Sequence, residues 1–180
     1  MNNPAPDKPA APATTTAPAT PSDPLLIASG LSKSYQVGHR RLDVLREVDL
    51  SVNRGEFAAL RGSSGAGKST LLHLLGGLDT PDAGTIRFDG QVLSNRGLSE
   101  LAAFRNRHVG FIFQAYHLMP DLTALENVAM PARMARLSRA EAESRAVALL
   151  TSVGLADCLR HLPNQLSGGE QQRVAIARCL

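Results

Sequence analysis

The stretch that decides the reading is Gly62-Ser63-Ser64-Gly65-Ala66-Gly67-Lys68-Ser69, which fits G-x-x-x-x-G-K-[ST]. The residue types follow from one task. A polyphosphate carries several negative charges, and successive backbone amides must turn inward to surround them. Side chains would obstruct that approach, so glycines stand in it. A helix opening at about Lys68 aims the positive end of its dipole at the same point. Lys68 can reach the β- and γ-phosphates as a point charge, and the Ser69 hydroxyl can ligate Mg²⁺. Thr70 follows in the same ATP-binding set. ATP and Mg²⁺ are the ligands this pattern implies.

The flanks fit a strand–loop–helix unit. FAALRG (57–62) is expected as a short buried strand, and KSTLLHLLGGL (68–78) as a helix. Upstream, LLIASGLSKSY (25–35) and LDVLREVDLSV (42–52) carry strand signals, with Arg54-Gly55-Glu56 as a turn. Downstream, TPDAG (80–84) reads as a turn, TIRFDG (85–90) as a strand, LSELAAFRNR (98–107) as a helix and HVGFIFQ (108–114) as a buried strand.

From Leu122 to about His161 the pattern is helical. Thr123 with Glu126, and Ser138 with Glu141, form capping boxes. Pro131 should kink or end the first helix. Ala146, Leu149, Leu150 and Val153 stripe the second, and Gly154 can supply its left-handed cap.

Composition sets bounds. The 180 residues are 43% apolar and 19% charged, an ordinary globular balance. A net charge of +3 argues for no nucleic-acid surface. No run of about 18 apolar residues is present, so the sequence predicts no membrane span. Cys158 and Cys179 suit neither a disulfide framework nor a metal site and read as small buried or half-buried thiols. Residues 1–24, rich in Pro, Ala and Thr, read as a disordered tail.

Leu166-Ser167-Gly168-Gly169-Glu170-Gln171 is the second anchor. Ser167 and Glu170 form a third capping box. The same geometry presents a serine hydroxyl and a bare helix N-terminus, which suits an anion.

A phosphate loop followed by LSGGEQQRVAIAR resembles the nucleotide-binding domain of ABC ATPases, from about Leu25 to Leu180. The resemblance implies an α/β fold: a P-loop NTPase (RecA-like), doubly wound core at about 25–115 and 165–180, with a helical subdomain inserted at about 116–164. It implies a homodimer packed head to tail, in which Ser167 and Gly169 touch the γ-phosphate held by the other subunit. Tyr35 matches the aromatic that stacks on adenine. Gln114 matches the glutamine that contacts Mg²⁺ and the attacking water, so it joins Lys68 as a catalytic candidate.

Within the family, STLLHLLGGLDTPDAG, FRNRHVGFIFQ and LMPDLTALENVAMP look like the ATPase subunits of lipoprotein-releasing transporters, the LolD type. MacB-type exporters and FtsE-type division ATPases share much of this wording. The implied partners are two transmembrane permease subunits, and the implied place is the cytoplasmic face of the inner membrane. Alternatives of another class are a non-hydrolytic nucleotide-binding fragment and a DNA-maintenance ABC ATPase. Compact spacing without heptads or Cys pairs speaks against the latter.

One departure stands out. The family pattern continues to an apolar strand ending in Asp-Glu and then a switch histidine, whereas the sequence given ends at Leu180, within the signature helix. The expectation is a piece of a longer ATPase, with hydrolysis severely impaired and apolar faces left uncovered. None of the five histidines follows the signature, so all read as surface or packing residues.

Overall fold

A computed structural model describes residues 24–180. Of the Pro/Ala/Thr-rich tail expected at 1–24, all but Pro24 lies outside the described residues. The two upstream strand signals become β1 (Leu26–Val37) and β2 (Arg40–Val52), joined by a tight turn at Gly38-His39. With β3 (Ala83–Phe88) and β4 (Gln91–Val92) they form a four-stranded antiparallel sheet in the order β2-β1-β3-β4. Ala28 lies opposite Leu50 on one side and Ile86 on the other, and Tyr35 lies opposite Leu42.

Against this sheet sit α1 (Lys68–Leu75) and α2 (Leu98–His108). Leu71 and Leu74 of α1 and Phe104 of α2 bury with Ala28, Leu31, Leu45, Ile86 and Leu93 in one core. A second core joins α3 (Ala124–Met134), α4 (Arg139–Ser152) and α5 (Gly168–Cys179). Its centre is Ala142, Ala146, Leu150, Leu155 and Val174. The two cores share no buried residue.

All three expected capping boxes are formed, at Thr123/Glu126, Ser138/Glu141 and Ser167/Glu170. Gly154 takes φ 74° after α4, and the Leu155 amide reaches back to the Leu150 carbonyl at 2.9 Å. The helical stretch expected from Leu122 to His161 is broken between α3 and α4 and ends in a short 3₁₀ turn, Ala156–Cys158, with a second, Pro163–Gln165, just beyond it.

Three expectations need correction. FAALRG and HVGFIFQ are not strands. A strand exists only through a ladder partner, and no described segment pairs with either. Phe57 is accordingly 96% exposed and Ile112 53%. The paired strands among the described residues are all antiparallel. Ala83 and Gly84, expected in a turn, open β3, where Ala83 pairs with Ser32 of β1 across an irregularity in the register. Of the two outcomes expected at Pro131, a kink or an end, the helix does not end there but runs on to Met134. Pro131 lies in the last turn, where the helix has few further amide bonds to lose.

Candidate functional site

The phosphate-loop residues Gly62 to Gly67 run from the unpaired 57–61 segment into α1, and all but Gly67 are exposed. Gly67 is the N-cap of α1, at φ 82°. A Cβ there would lie 2.8 Å from Leu45 Cδ2 and 3.0 Å from the Val44 carbonyl, so the site admits no side chain. Gly65 is also left-handed, at φ 81°, but nothing lies within 4 Å of its Cβ position. The loop thus rests on β2 at one glycine and is open at another.

Lys68 Nζ donates to the carbonyls of Gly62 at 3.0 Å and Ser63 at 2.6 Å. An ammonium has three donors, and these bonds leave one for an anion. Ser69 is exposed in the first turn of α1 and Thr70 half-buried. Among the described residues no three His, Cys, Asp or Glu side chains converge to hold a metal. The exposed Ser69 hydroxyl and Gln114 amide are hard oxygen donors. Each is the kind of donor that Mg²⁺ takes alongside phosphate and water.

Tyr35, near the end of β1, is 38% exposed. Its hydroxyl donates to Asp79 Oδ2 at 2.8 Å, and Lys33 Nζ lies 5.2 Å from the ring centre. Burial, then the Asp79 carboxylate, raises the phenol above its ordinary pKa, while the Thr70 side chain pulls the other way.

The second anchor opens α5. Ser167 Oγ accepts from the Glu170 amide at 3.3 Å and donates to Glu170 Oε2 at 2.7 Å. This bond to Ser167 lowers the Glu170 pKa. A Cβ at Gly168 would meet nothing within 4 Å, and one at Gly169 only Arg173 Nη1 at 3.9 Å. Leu166 is buried, and Gln171 Nε2 donates to the carbonyls of Pro163 at 2.9 Å and Leu166 at 3.1 Å. These two side chains fix the turn, whereas Ser167, Gly168 and Gly169 are exposed.

The family described as ABC transporter matches residues 45–180. The "Lipoprotein-releasing system ATP-binding protein LolD" of Geobacter metallireducens is 53% identical over 156 residues, covering 87% of this chain and 69% of the relative. The chain belongs to the ABC transporter family.

Two solved structures of MJ0796 agree with that membership. One is described as a dimeric post-hydrolysis state of an ATP-binding cassette bound to ADP and Pi, with a TM-score of 0.80. The other is described as the dimeric structure of a bacterial ABC transporter cassette, with a TM-score of 0.79. Each is 40% identical and covers 86% of this chain and 68% of the solved one. No described helix of this ABC transporter family member is long and apolar enough to cross a membrane.

The fold does not bring all the candidate residues to one place. The phosphate loop and Tyr35 belong with the sheet-side core, and the LSGG segment with the helical core. Gln114 lies between the two cores in sequence, in an exposed turn rather than at a strand end, because 109–113 has no ladder partner. Three residues that sequence reasoning missed organise these segments. Asp79 holds Tyr35. Arg178 of α5 donates to the carbonyls of Tyr116 at 2.7 Å and His117 at 2.6 Å. Fully buried Asn127 pins the 119–123 turn, accepting from the Met119 amide at 2.8 Å and donating to the carbonyls of Met119, Leu122 and Thr123. Arg178 and Asn127 act on backbone carbonyls, which leave no trace in side-chain patterns.

Proposed function

We propose that the chain is the ATP-binding subunit of a transporter that releases lipoproteins from the inner membrane. It would act as a homodimer on the cytoplasmic face, beside two transmembrane subunits. In this reading residues 25–180 are the nucleotide-binding domain, with its helical subdomain at about 116–164. The lipoprotein assignment is supported by 53% identity to a lipoprotein-releasing ATP-binding protein. The observation that carries the dimer is the separation of the two glycine-rich segments onto different cores. An ATP on one chain's phosphate loop is then met by Ser167 and Gly169 of a second copy.

The residue roles follow from this reading. Inward-turned amides of Gly62, Ser63, Ser64, Gly65, Ala66 and Gly67 surround the phosphates, and Lys68 spends its free donor on the β/γ oxygens. Tyr35 stacks on the adenine. Ser69 and Gln114 would hold Mg²⁺, which neutralises charge on the transferring phosphoryl group. Leu166, Glu170 and Gln171 hold the signature turn in shape. Phosphoryl transfer depends on positioning and electrostatics, and the 180 residues contain no apolar run ending in Asp-Glu. The 180-residue chain is therefore expected to bind MgATP without turning it over.

One pair of measurements tests this. Lys68→Ala should weaken fluorescent-nucleotide binding by more than about tenfold. Phosphate release by the wild-type chain should not exceed that of the variant. Equal affinity of the two overturns the binding site. A robust Lys68-dependent rate overturns the inactivity and moves attention to Gln114.

A further inference from the structure

Lys33 is an unusually enclosed cation, with its side chain 10% exposed. Its ammonium donates to Asp79 Oδ1 at 2.9 Å and to the Thr80 carbonyl at 2.6 Å, with Asp82 Oδ1 at 3.9 Å. Asp79 uses its other oxygen, Oδ2, for the Tyr35 hydroxyl. Its Oδ1 also accepts from the Thr80 amide at 2.7 Å. One carboxylate thus joins a lysine and a tyrosine that lie two residues apart on β1 with the chain just past α1. An exposed pair of this kind contributes little, but here the lysine is nearly enclosed and the carboxylate is shared.

The place of Asp79 gives this network a use. It follows α1, and the Leu78 and Asp79 amides reach back to the His73 carbonyl in the last turn of that helix, at 2.8 and 3.4 Å. The first turn of the same helix carries Lys68, Ser69 and Thr70. The Tyr35 ring is therefore tied to the element that carries the phosphate loop, although it belongs to the sheet. A free tyrosine side chain at a sheet rim must be ordered when a ligand stacks on it, at an entropic cost. Anchoring its hydroxyl removes most of that cost before binding.

We propose that Asp79 is a positioning residue for the base of the nucleotide: it holds Lys33 and the Tyr35 hydroxyl together so that the ring is pre-set, at a fixed distance from the phosphate loop, to stack on adenine. This rests on the reading of Tyr35 as the adenine-stacking residue. The network then governs how much the base adds to binding beyond the phosphates.

Competition against a fluorescent nucleotide, with Mg²⁺ present, separates the two contributions. The competitors are ATP and tripolyphosphate, which has phosphates and no base. The proteins are the wild-type chain, Tyr35→Phe, Asp79→Ala and the double variant. Tyr35→Phe keeps the ring and deletes only the tethering hydroxyl, so it stands even if Asp79→Ala fails to fold. Each single variant should weaken ATP about fivefold, the worth of one hydrogen bond, and the double variant no further. Tripolyphosphate should change by less than about twofold in all of them, since its contacts lie in the loop. An unchanged ATP-to-tripolyphosphate ratio in Tyr35→Phe overturns the proposal, as does an equal loss for both competitors. Tyr35→Ala keeps the two failures apart. If it lowers the ratio while Tyr35→Phe does not, only the role of Asp79 falls. If it too leaves the ratio unchanged, the stacking reading falls with it.

Discussion

At the scale of single residues, the phosphate loop shows two glycines with the same backbone angle and different surroundings. Gly67 at φ 82° is pressed against Leu45 and Val44, and Gly65 at φ 81° faces open space. Alanine at either position costs about 1–2 kcal/mol of left-handed strain. At Gly67 it must also displace a β2 side chain and a carbonyl. Gly67→Ala should lower the melting temperature by clearly more than Gly65→Ala. Gly65→Ala should instead fall chiefly on nucleotide affinity, because its methyl projects where inward amides must stay bare. Thermal melts and titrations of the two variants check this; equal melting temperatures would show that β2 yields at no cost.

At the scale of elements, the capping boxes are the most regular feature. Glu126 is held below the ordinary glutamate pKa by the Thr123 amide and then the Thr123 hydroxyl, and Glu141 and Glu170 first by the hydroxyls of Ser138 and Ser167. A folded-state pKa below the unfolded one stabilises the fold above the unfolded pKa, and that stability is lost as pH falls through the folded value. Acidification from neutral to about pH 3 should therefore loosen α3, α4 and α5. Replacing all three glutamates by glutamine should lower stability at neutral pH and flatten that dependence. Denaturation midpoints read by helical circular dichroism at both pH values decide it, and an unchanged acid sensitivity would refute the assignment. These boxes were legible in the sequence because both partners lie within one turn, as do the Gly154 cap and the start of α1. The segments 57–61 and 109–113 were misjudged for the opposite reason. Their apolar residues signal a strand, but strand formation depends on a partner distant in sequence. The contact between Tyr35 and Asp79, 44 residues apart, was illegible for the same reason.

At the scale of the whole molecule, specific bonds tie the two cores to each other and to the 109–117 segment between them. Asn106 Nδ2 donates to the Pro131 carbonyl at 3.0 Å, Cys179 Sγ to the Phe111 carbonyl at 3.1 Å, and Arg178 to the Tyr116 and His117 carbonyls. Tyr116 and His117 hold φ of 58° and 47°, strained for residues with side chains, so the guanidinium stabilises a turn that would otherwise relax. This turn leads into Leu118 to Leu122, part of the 114–134 stretch where the family resemblance implies that a short helix of a transmembrane subunit would dock. The structure divides that stretch. Leu118 packs against the helical core, Leu122 is half-buried, and Met119 is 48% exposed although its own amide and carbonyl are fixed by Asn127. A methionine held outward on a rigid turn suits an adaptable contact surface better than a core. Met119→Glu should leave melting and nucleotide binding nearly unchanged while abolishing co-purification with co-expressed transmembrane subunits. Leu122→Glu should do the same but with some loss of melting temperature, since part of its side chain is already enclosed. Retention of the membrane subunits at wild-type levels by both variants would remove this turn from the contact and leave the exposed Met134 at the end of α3 as the next apolar side chain to test.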